Sequence, residues 1–448
     1  MRYILNQNEK LNEENLAITA KSYCQRKAVI MNKCHKIKDV AFLSTYPPRE
    51  CGLATFTEDL VNEISKIEGV NPYVIAVGTG LEIYADPRVA CTLSQHNRSS
   101  YFKTAQWANT HVDLLVIEHE YGIFGGECGS YILDLAKGLT IPFIVTTHTV
   151  LLEPLPAQQH VLQELGGLAT KVVTMARSSI PILIDTYGIA PEKLAFIPHG
   201  VPDMQVESRA TLKTAYGLKN KWVISSFGLI SPAKGLEYGI EAVAKIVTEY
   251  PNLIYLILGK THPCVKASMG ESYRQSLLDL AQKLGVQDNV RFIDKYLTKQ
   301  EVITYLHLSD MYLTPYLSKE QAVSGTLAYA MGCGRVIIST PYRYAEEMLG
   351  EGRGLLAGFK DADSMAGCIR TVLGNPTEKA AMERKTLAVG RNMIWAAVAT
   401  QYAELSVNII GTAGNRAQQN AWRLVRPALP ALQPVNVLIG QNEMRAGT

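Results

Sequence analysis

TPYLSKEQAVSGTLAYAMGCGRVIISTPYRYAEE, residues Thr314 to Glu347, carries the rhythm that decides the fold. The preceding Met311-Tyr312-Leu313 is a short apolar run, and a loop leads from it to Ser324-Gly325-Thr326, where a helix begins. Gly332-Cys333-Gly334 stops that helix, and a second apolar run, Val336-Ile337-Ile338, follows. Two short apolar strands with a helix between them make a parallel unit. Small and hydroxyl residues at the strand-to-helix turn leave backbone N–H groups free at the positive end of a helix dipole. Such a turn is a seat for a phosphate group. An ordinary helix start with Ser324 as N-cap reads the same way, so the rest of the chain has to decide.

On either side the same alternation continues. Toward the N-terminus the runs are Val40–Ser44, Val74–Val77, Leu114–Ile117, Phe143–Thr146, Val172–Met175 and Leu194–Ile197. A polar segment from Val201 to Asn220 breaks the pattern. It then restarts with Val223–Phe227, Ile254–Leu258, Val290–Ile293, the two runs of the opening stretch, and Leu355–Leu356. Short apolar runs alternating with amphipathic segments predict parallel sheets covered by helices on both faces. The expectation is an α/β chain of two doubly wound, Rossmann-like domains, residues 37–205 and 220–390, with crevices facing each other across a cleft. A helix over 391–410 is apolar on one face (Ile394, Trp395, Val398, Tyr402, Leu405) and is expected to cross back to the first domain. Residues 1–36 read as a polar leader and 411–448 as a flexible tail rich in Pro, Gln, Asn and Arg.

Composition narrows the class. A chain of 448 residues is too long for one ordinary core. With 47% apolar and 19% charged residues and a formal charge of +3, it lacks the basic field of a nucleic-acid binder. Eight scattered cysteines, without a CxxC pair or a His/Cys cluster, support neither a disulfide framework nor a zinc site. No apolar run approaches the roughly 20 residues of a membrane span, and the N-terminus lacks a signal-peptide core. The expected location is cytoplasmic.

Chemistry-bearing residues gather where strands end. After the first run comes Pro47-Pro48-Arg49-Glu50-Cys51-Gly52, in which Gly52 lets a ligand approach the backbone closely. After the third comes Glu118-His119-Glu120-Tyr121-Gly122-Ile123-Phe124-Gly125-Gly126, two carboxylates flanking an imidazole in a glycine-rich loop. The fourth ends at Thr146-Thr147-His148, and an imidazole there can position or polarise a sugar hydroxyl. In the second half, Gly228 frees a turn, Lys234 stands just before a helix as a point charge for phosphate, and Gly259 ends a further strand. Two glycine turns and one serine-capped turn on one edge describe a nucleotide crevice.

From about Val40 to Leu405 these residues resemble the GT-B-fold glycosyltransferases of family 4, retaining enzymes that use nucleotide sugars. The resemblance rests on the PPRECG loop, the TTH strand end, the IPHGV segment with His199 and Gly200, the SPAKG turn, and the spacing of SGTLAYAMGCGRVIIST and AEEMLGEGRGLL. It implies that Gly52 faces the donor phosphates, that His148 lies near the reacting sugar, that Lys234 meets the diphosphate, and that the Ser324–Thr326 amides meet the distal phosphate. Two departures mark a divergent subgroup. Leu229 stands where the family pairs an arginine with the lysine, and Gln321 and Tyr329 stand where it has two glutamates, with Glu320 one residue early.

The resulting expectation is a transferase moving a hexose of mannose or glucose type from a GDP- or UDP-linked donor to an acceptor hydroxyl, with retention. His148, Glu120 and Lys234 are the candidate catalytic residues. Gly52, Gly228, Lys234, Gln321, Ser324, Gly325, Thr326 and Tyr329 are the donor-side candidates, and Glu118, His119, Glu120 and Tyr121 the acceptor-side ones. No cofactor or metal is required, because lysine and backbone amides carry the charge. The expected partners are the nucleotide sugar and a carbohydrate-type acceptor, with no nucleic acid and no membrane span, and peripheral membrane contact left open. Two other readings stay open: a catalytically silent sugar-nucleotide or glycan binder, motivated by the missing glutamates and arginine, and a phosphorylase on the same fold.

Overall fold

Two parallel sheets organise the chain in the computed structural model, which describes residues 38–418. The first holds β1 (Lys38–Ser44), β2 (Val70–Gly78), β3 (Val89–Ser94), β4 (Leu114–His119), β5 (Phe143–Thr147), β6 (Lys171–Thr174) and β7 (Leu194–Phe196). Their order is β3-β2-β1-β4-β5-β6-β7. The second holds β8 (Trp222–Phe227), β9 (Leu253–Leu258), β10 (Val290–Ile293), β11 (Met311–Thr314), β12 (Val336–Ser339) and β13 (Gly354–Leu356), in the order β10-β9-β8-β11-β12-β13. Every strand pair is parallel. The chain reverses its direction of growth between β1 and β4 in one sheet and between β8 and β11 in the other. Those switch points leave a crevice outside the carboxyl ends of the strands.

The central strands are buried on both faces, and those at the sheet edges are half-buried. All six residues of β4 are buried, and β9 (LIYLIL) likewise. Twelve of the strands coincide with apolar runs of the sequence. The thirteenth, β3, does not: VACTLS is mostly half-buried at the sheet edge, so no apolar run announces it.

Helix α1 (Gly52–Ile64) leaves the end of β1 and buries Ala54, Phe56, Leu60, Val61 and Ile64. The last helix, Trp395–Gln418, returns to pack against it. Its entry is pinned by Val201 N–H donating to Met393 O at 2.8 Å and Trp395 N–H donating to Val201 O at 3.0 Å. The Trp395 ring meets Phe56 edge-on at 4.9 Å, and the Tyr402 hydroxyl lies 3.0 Å from Thr146 Oγ1 on β5. The helix thus crosses back to the first sheet, and it runs past Gly411, where the sequence reading begins the tail. The leader over 1–36 and the rest of the tail lie outside the described residues.

The two sheets are tied across the cleft in both directions. Glu50 and Asp59 of the first side take Lys260 and Lys299 of the second. Glu320 accepts from Leu152 N–H at 3.1 Å, and Arg343 donates to Val150 O at 2.7 Å. Glu347 accepts from the N–H groups of Arg177 and Ser178, each at 2.9 Å, and from the Ser178 hydroxyl at 2.7 Å. Charge-assisted bonds to backbone N–H groups are stronger than neutral ones.

Candidate active site

On the second side, three turns converge. Gly228, at φ +131°, directly follows β8, and a side-chain atom there would meet the Thr326 methyl at 3.5 Å. The Pro232–Lys234 turn closes through Gly235, and the Lys234 ammonium sits 3.8 Å from the centre of the Tyr316 ring. The Tyr316 hydroxyl lies 2.8 Å from Thr326 Oγ1, which lies 3.1 Å from Ser324 Oγ. Ser324 is the N-cap of helix Gly325–Gly332, accepting from Leu327 N–H at 3.3 Å. The serine caps the helix, and the cap stands near a lysine, linked to it through Thr326 and Tyr316. Burial pushes the Tyr316 phenol up, but Lys234 beside it, with bonds from Thr326 and Ser324, brings it below the usual tyrosine value. Tyr316, which sequence reasoning missed, links the cation to the helix start. The only signal for it is its place just after β11.

On the first side, His148 Nε2 lies 2.8 Å from Glu118 Oε2, and Glu120 accepts the Thr149 hydroxyl. Phe56 stands between the two sides. Its ring meets His148 at 4.8 Å and His199 at 5.2 Å, both edge-on. Such aromatic pairs are each worth about 0.5–1.5 kcal/mol beyond their buried area. His199 Nδ1 faces Gly200 O at 2.7 Å, while its Nε2 would sit 3.0 Å from a Cβ on Gly325. A continuous path of contacts therefore runs from His148 through Phe56 and His199 to the helix start at Gly325. Burial holds the His199 imidazole down to about 4.

Several of the expected site residues are engaged within the protein itself. Glu118 and His119 are fully enclosed and Tyr121 nearly so, whereas Glu120 of that motif is half-buried. The reason is register: Glu118 and His119 belong to the last two positions of β4 and not to the loop after it. Burial, with the nearby His148 adding to it, lowers His119 to about 3, so the ring is neutral. Gln321 turns back to donate to Val323 O at 2.7 Å. Tyr329 donates to Asp59 Oδ2 at 3.1 Å, so its hydroxyl serves the tie across the cleft. Glu320, the alternative carboxylate, is held by Leu152 N–H and Arg343. Gly52 is exposed with open space where a side chain would begin, as a close approach requires. Among the described residues no group of three or more His, Cys, Asp or Glu side chains could hold a metal ion. No helix of the described residues is long and apolar enough to cross a membrane.

Residues 208–388, which contain this lysine, tyrosine and helix-start cluster, match the family model for glycosyl transferases group 1. D-inositol 3-phosphate glycosyltransferase of Corynebacterium efficiens is 25% identical over 308 residues, 64% of this chain and 70% of that protein. The chain is a glycosyltransferase of the GT-B fold. A second relative of the transferase is the GDP-mannose-dependent alpha-(1-6)-phosphatidylinositol monomannoside mannosyltransferase of Mycolicibacterium smegmatis. It is 23% identical over 357 residues, 75% of this chain and 89% of the other. Two solved structures share the fold. Anabaena HepE, in complex with UDP and glucose, superposes with a TM-score of 0.62 at 17% identity, covering 86% of this chain and 100% of its own. Sucrose-phosphate synthase of Thermosynechococcus elongatus gives 0.66 at 16% identity, with 86% and 100% covered.

Proposed function

We propose that this transferase moves a hexose from a nucleoside diphosphate sugar to an acceptor hydroxyl with retention of configuration. The observation that carries the reading is the cluster of Gly228, Lys234, Tyr316, Ser324 and Thr326 at the switch point of the second sheet. There the diphosphate takes the Lys234 charge and the N–H groups at the start of helix Gly325–Gly332. As the bond from the anomeric carbon to phosphate breaks, negative charge grows on the leaving diphosphate, and donors fixed beforehand stabilise it most effectively. The new bond forms from the acceptor oxygen to the same carbon, and the hydroxyl proton leaves with the diphosphate. His148 and Glu120 stand on the opposite wall to hold the hydroxyls. Gly52 opens the α1 turn to the donor.

The fates of Gln321 and Tyr329 bear on donor recognition. Both side chains are engaged elsewhere, so sugar and ribose are read through the backbone and the cleft walls. Relatives named for GDP-mannose and a structural neighbour with UDP and glucose support testing both donor types. The experiment is a thermal-shift screen against UDP, GDP, ADP and free phosphate, followed by turnover with the matching nucleotide sugars. Stabilisation by one nucleoside diphosphate, with release of that diphosphate from its sugar, is the expected result. Stabilisation by phosphate alone would turn the reading toward a phosphorylase.

A further inference from the structure

Glu118 and His148 terminate or follow neighbouring strands, and their contact is built into the first domain. The carboxylate side chain is fully buried and the imidazole only 9% exposed. The backbone N–H of His148 donates to His119 O at 3.1 Å, which places the main chain, and Phe56 meets the imidazole edge-on at 4.8 Å, which orients the ring. Enclosing a carboxylate is costly unless it is paired. Glu118 Oε2 has His148 as its partner, and Oε1 has none among the described residues. Every other position of β4 before His119 is Leu, Val or Ile, so packing alone gives no reason for a carboxylate there.

A carboxylate only accepts hydrogen bonds, so this contact places a hydrogen on His148 Nε2. Nδ1 is not among the enclosed, unpartnered atoms and takes no hydrogen bond from the described residues. We infer that Glu118 is a positioning residue for the transfer reaction, holding His148 so that Nδ1 accepts a hydrogen bond from a substrate hydroxyl in the cleft. The inference rests on the proposed transfer only in that the hydroxyl belongs to donor or acceptor. Glu118 itself touches no substrate, which is why its place on the strand, and not in the loop, is functional.

The test separates the two claims. Full-length protein labelled with 15N-histidine, compared with His148→Ala to identify the signals, reports which ring nitrogen of His148 carries the hydrogen. Hydrogen on Nε2 alone in the wild type, kept in Glu118→Gln and lost to a mixture in Glu118→Ala, is the expected pattern. Hydrogen on Nδ1 in the wild type, which requires Glu118 to donate, overturns the inference, as does an unchanged Nε2 signal in Glu118→Ala. Kinetics with UDP-glucose and GDP-mannose supply the second readout. Glu118→Ala should lower kcat by more than tenfold with little change in nucleoside diphosphate binding, and Glu118→Gln should recover most of it. Placed on His148→Ala, Glu118→Ala should add no further loss; losses that multiply mean that Glu118 does not act through His148. Should Glu118→Ala fail to fold, the Glu118→Gln spectrum decides, because a shift of the hydrogen to Nδ1 there contradicts the account. If neither donor is turned over, the hexosyl-transfer reading fails while the spectra still decide on the pair.

Discussion

Gly200 lies directly against the indole of Trp395, and a Cβ there would come within 2.1 Å of a ring carbon. The ring is itself held by Phe56 and buried, so it has no room to yield. Gly200→Ala should therefore lower stability by roughly 3 kcal/mol, the upper range for overpacking, as measured by chemical denaturation. A change within 0.5 kcal/mol would show that the helix entry is looser than described. At this scale the sequence was legible wherever a residue type implies a backbone need or a charge at a strand end: Gly228, Lys234 and Ser324 are gathered around Thr326 and Tyr316. It was illegible where a role depends on which way a side chain turns. Gln321 and Tyr329 look like donor contacts by position alone, yet one bonds its own loop and the other bonds Asp59. Asp59 itself reads as an ordinary acid on an amphipathic helix, and only the fold reveals that it is buried and paired with Lys299.

Among the elements, the last helix joins the two halves by leaving the second side and burying its apolar stripe on α1. Val398, Ala399, Tyr402 and Ala403 are essentially unexposed in that contact. Trp395 begins it and also touches the cleft through its neighbours Phe56 and His199. Trp395→Ala should cost about 3–5 kcal/mol and lower the unfolding temperature of the first domain. If protease sensitivity of the 395–418 segment and that temperature both stay at wild-type levels, the helix is not what secures the halves. Strands buried on both faces were readable because each is an unbroken apolar run. The edge strand β3 was not, since its VACTLS mixes polar and apolar residues and its half-burial leaves no period of two or run of apolars. The end of β4 misled in the opposite way: its polar letters suggested a loop, whereas Glu118 and His119 complete the strand and are enclosed.

Viewed as a whole, the molecule keeps several imidazoles out of water. Burial holds His119 at about 3, His199 at about 4 and His307 at about 4, against about 6.5 for an exposed histidine. Below pH 6.5 the unfolded chain takes up protons at these positions that the folded chain refuses until pH 3 to 4. Stability therefore falls as pH drops through that window, by roughly 1 kcal/mol per pH unit for each histidine. Denaturation followed between pH 7 and 5 should show a clear loss, and His307→Gln should flatten it if the fold is kept. A flat profile would mean that these rings are hydrated. The architecture, with its two doubly wound sheets and opposed crevices, was legible from the alternation of runs, because parallel sheets leave few other ways to bury strands on both faces. The ties across the cleft were not, since Glu50, Glu320 and Glu347 carry no local sign that their partners lie 150 or more residues away in most cases, as for Glu347 with Ser178 at a separation of 169.

The central claim is that a nucleoside diphosphate seats against Lys234 and the start of helix Gly325–Gly332. Titration calorimetry of UDP and GDP into the wild type and Lys234→Ala tests it most directly. The account predicts that one of the two nucleotides binds the wild type and that Lys234→Ala, still folded, weakens it at least tenfold, in line with about 1.5–3 kcal/mol for a hydrogen bond to a charged group. Equal affinity in the two proteins, or binding of neither nucleotide to the wild type, would contradict it.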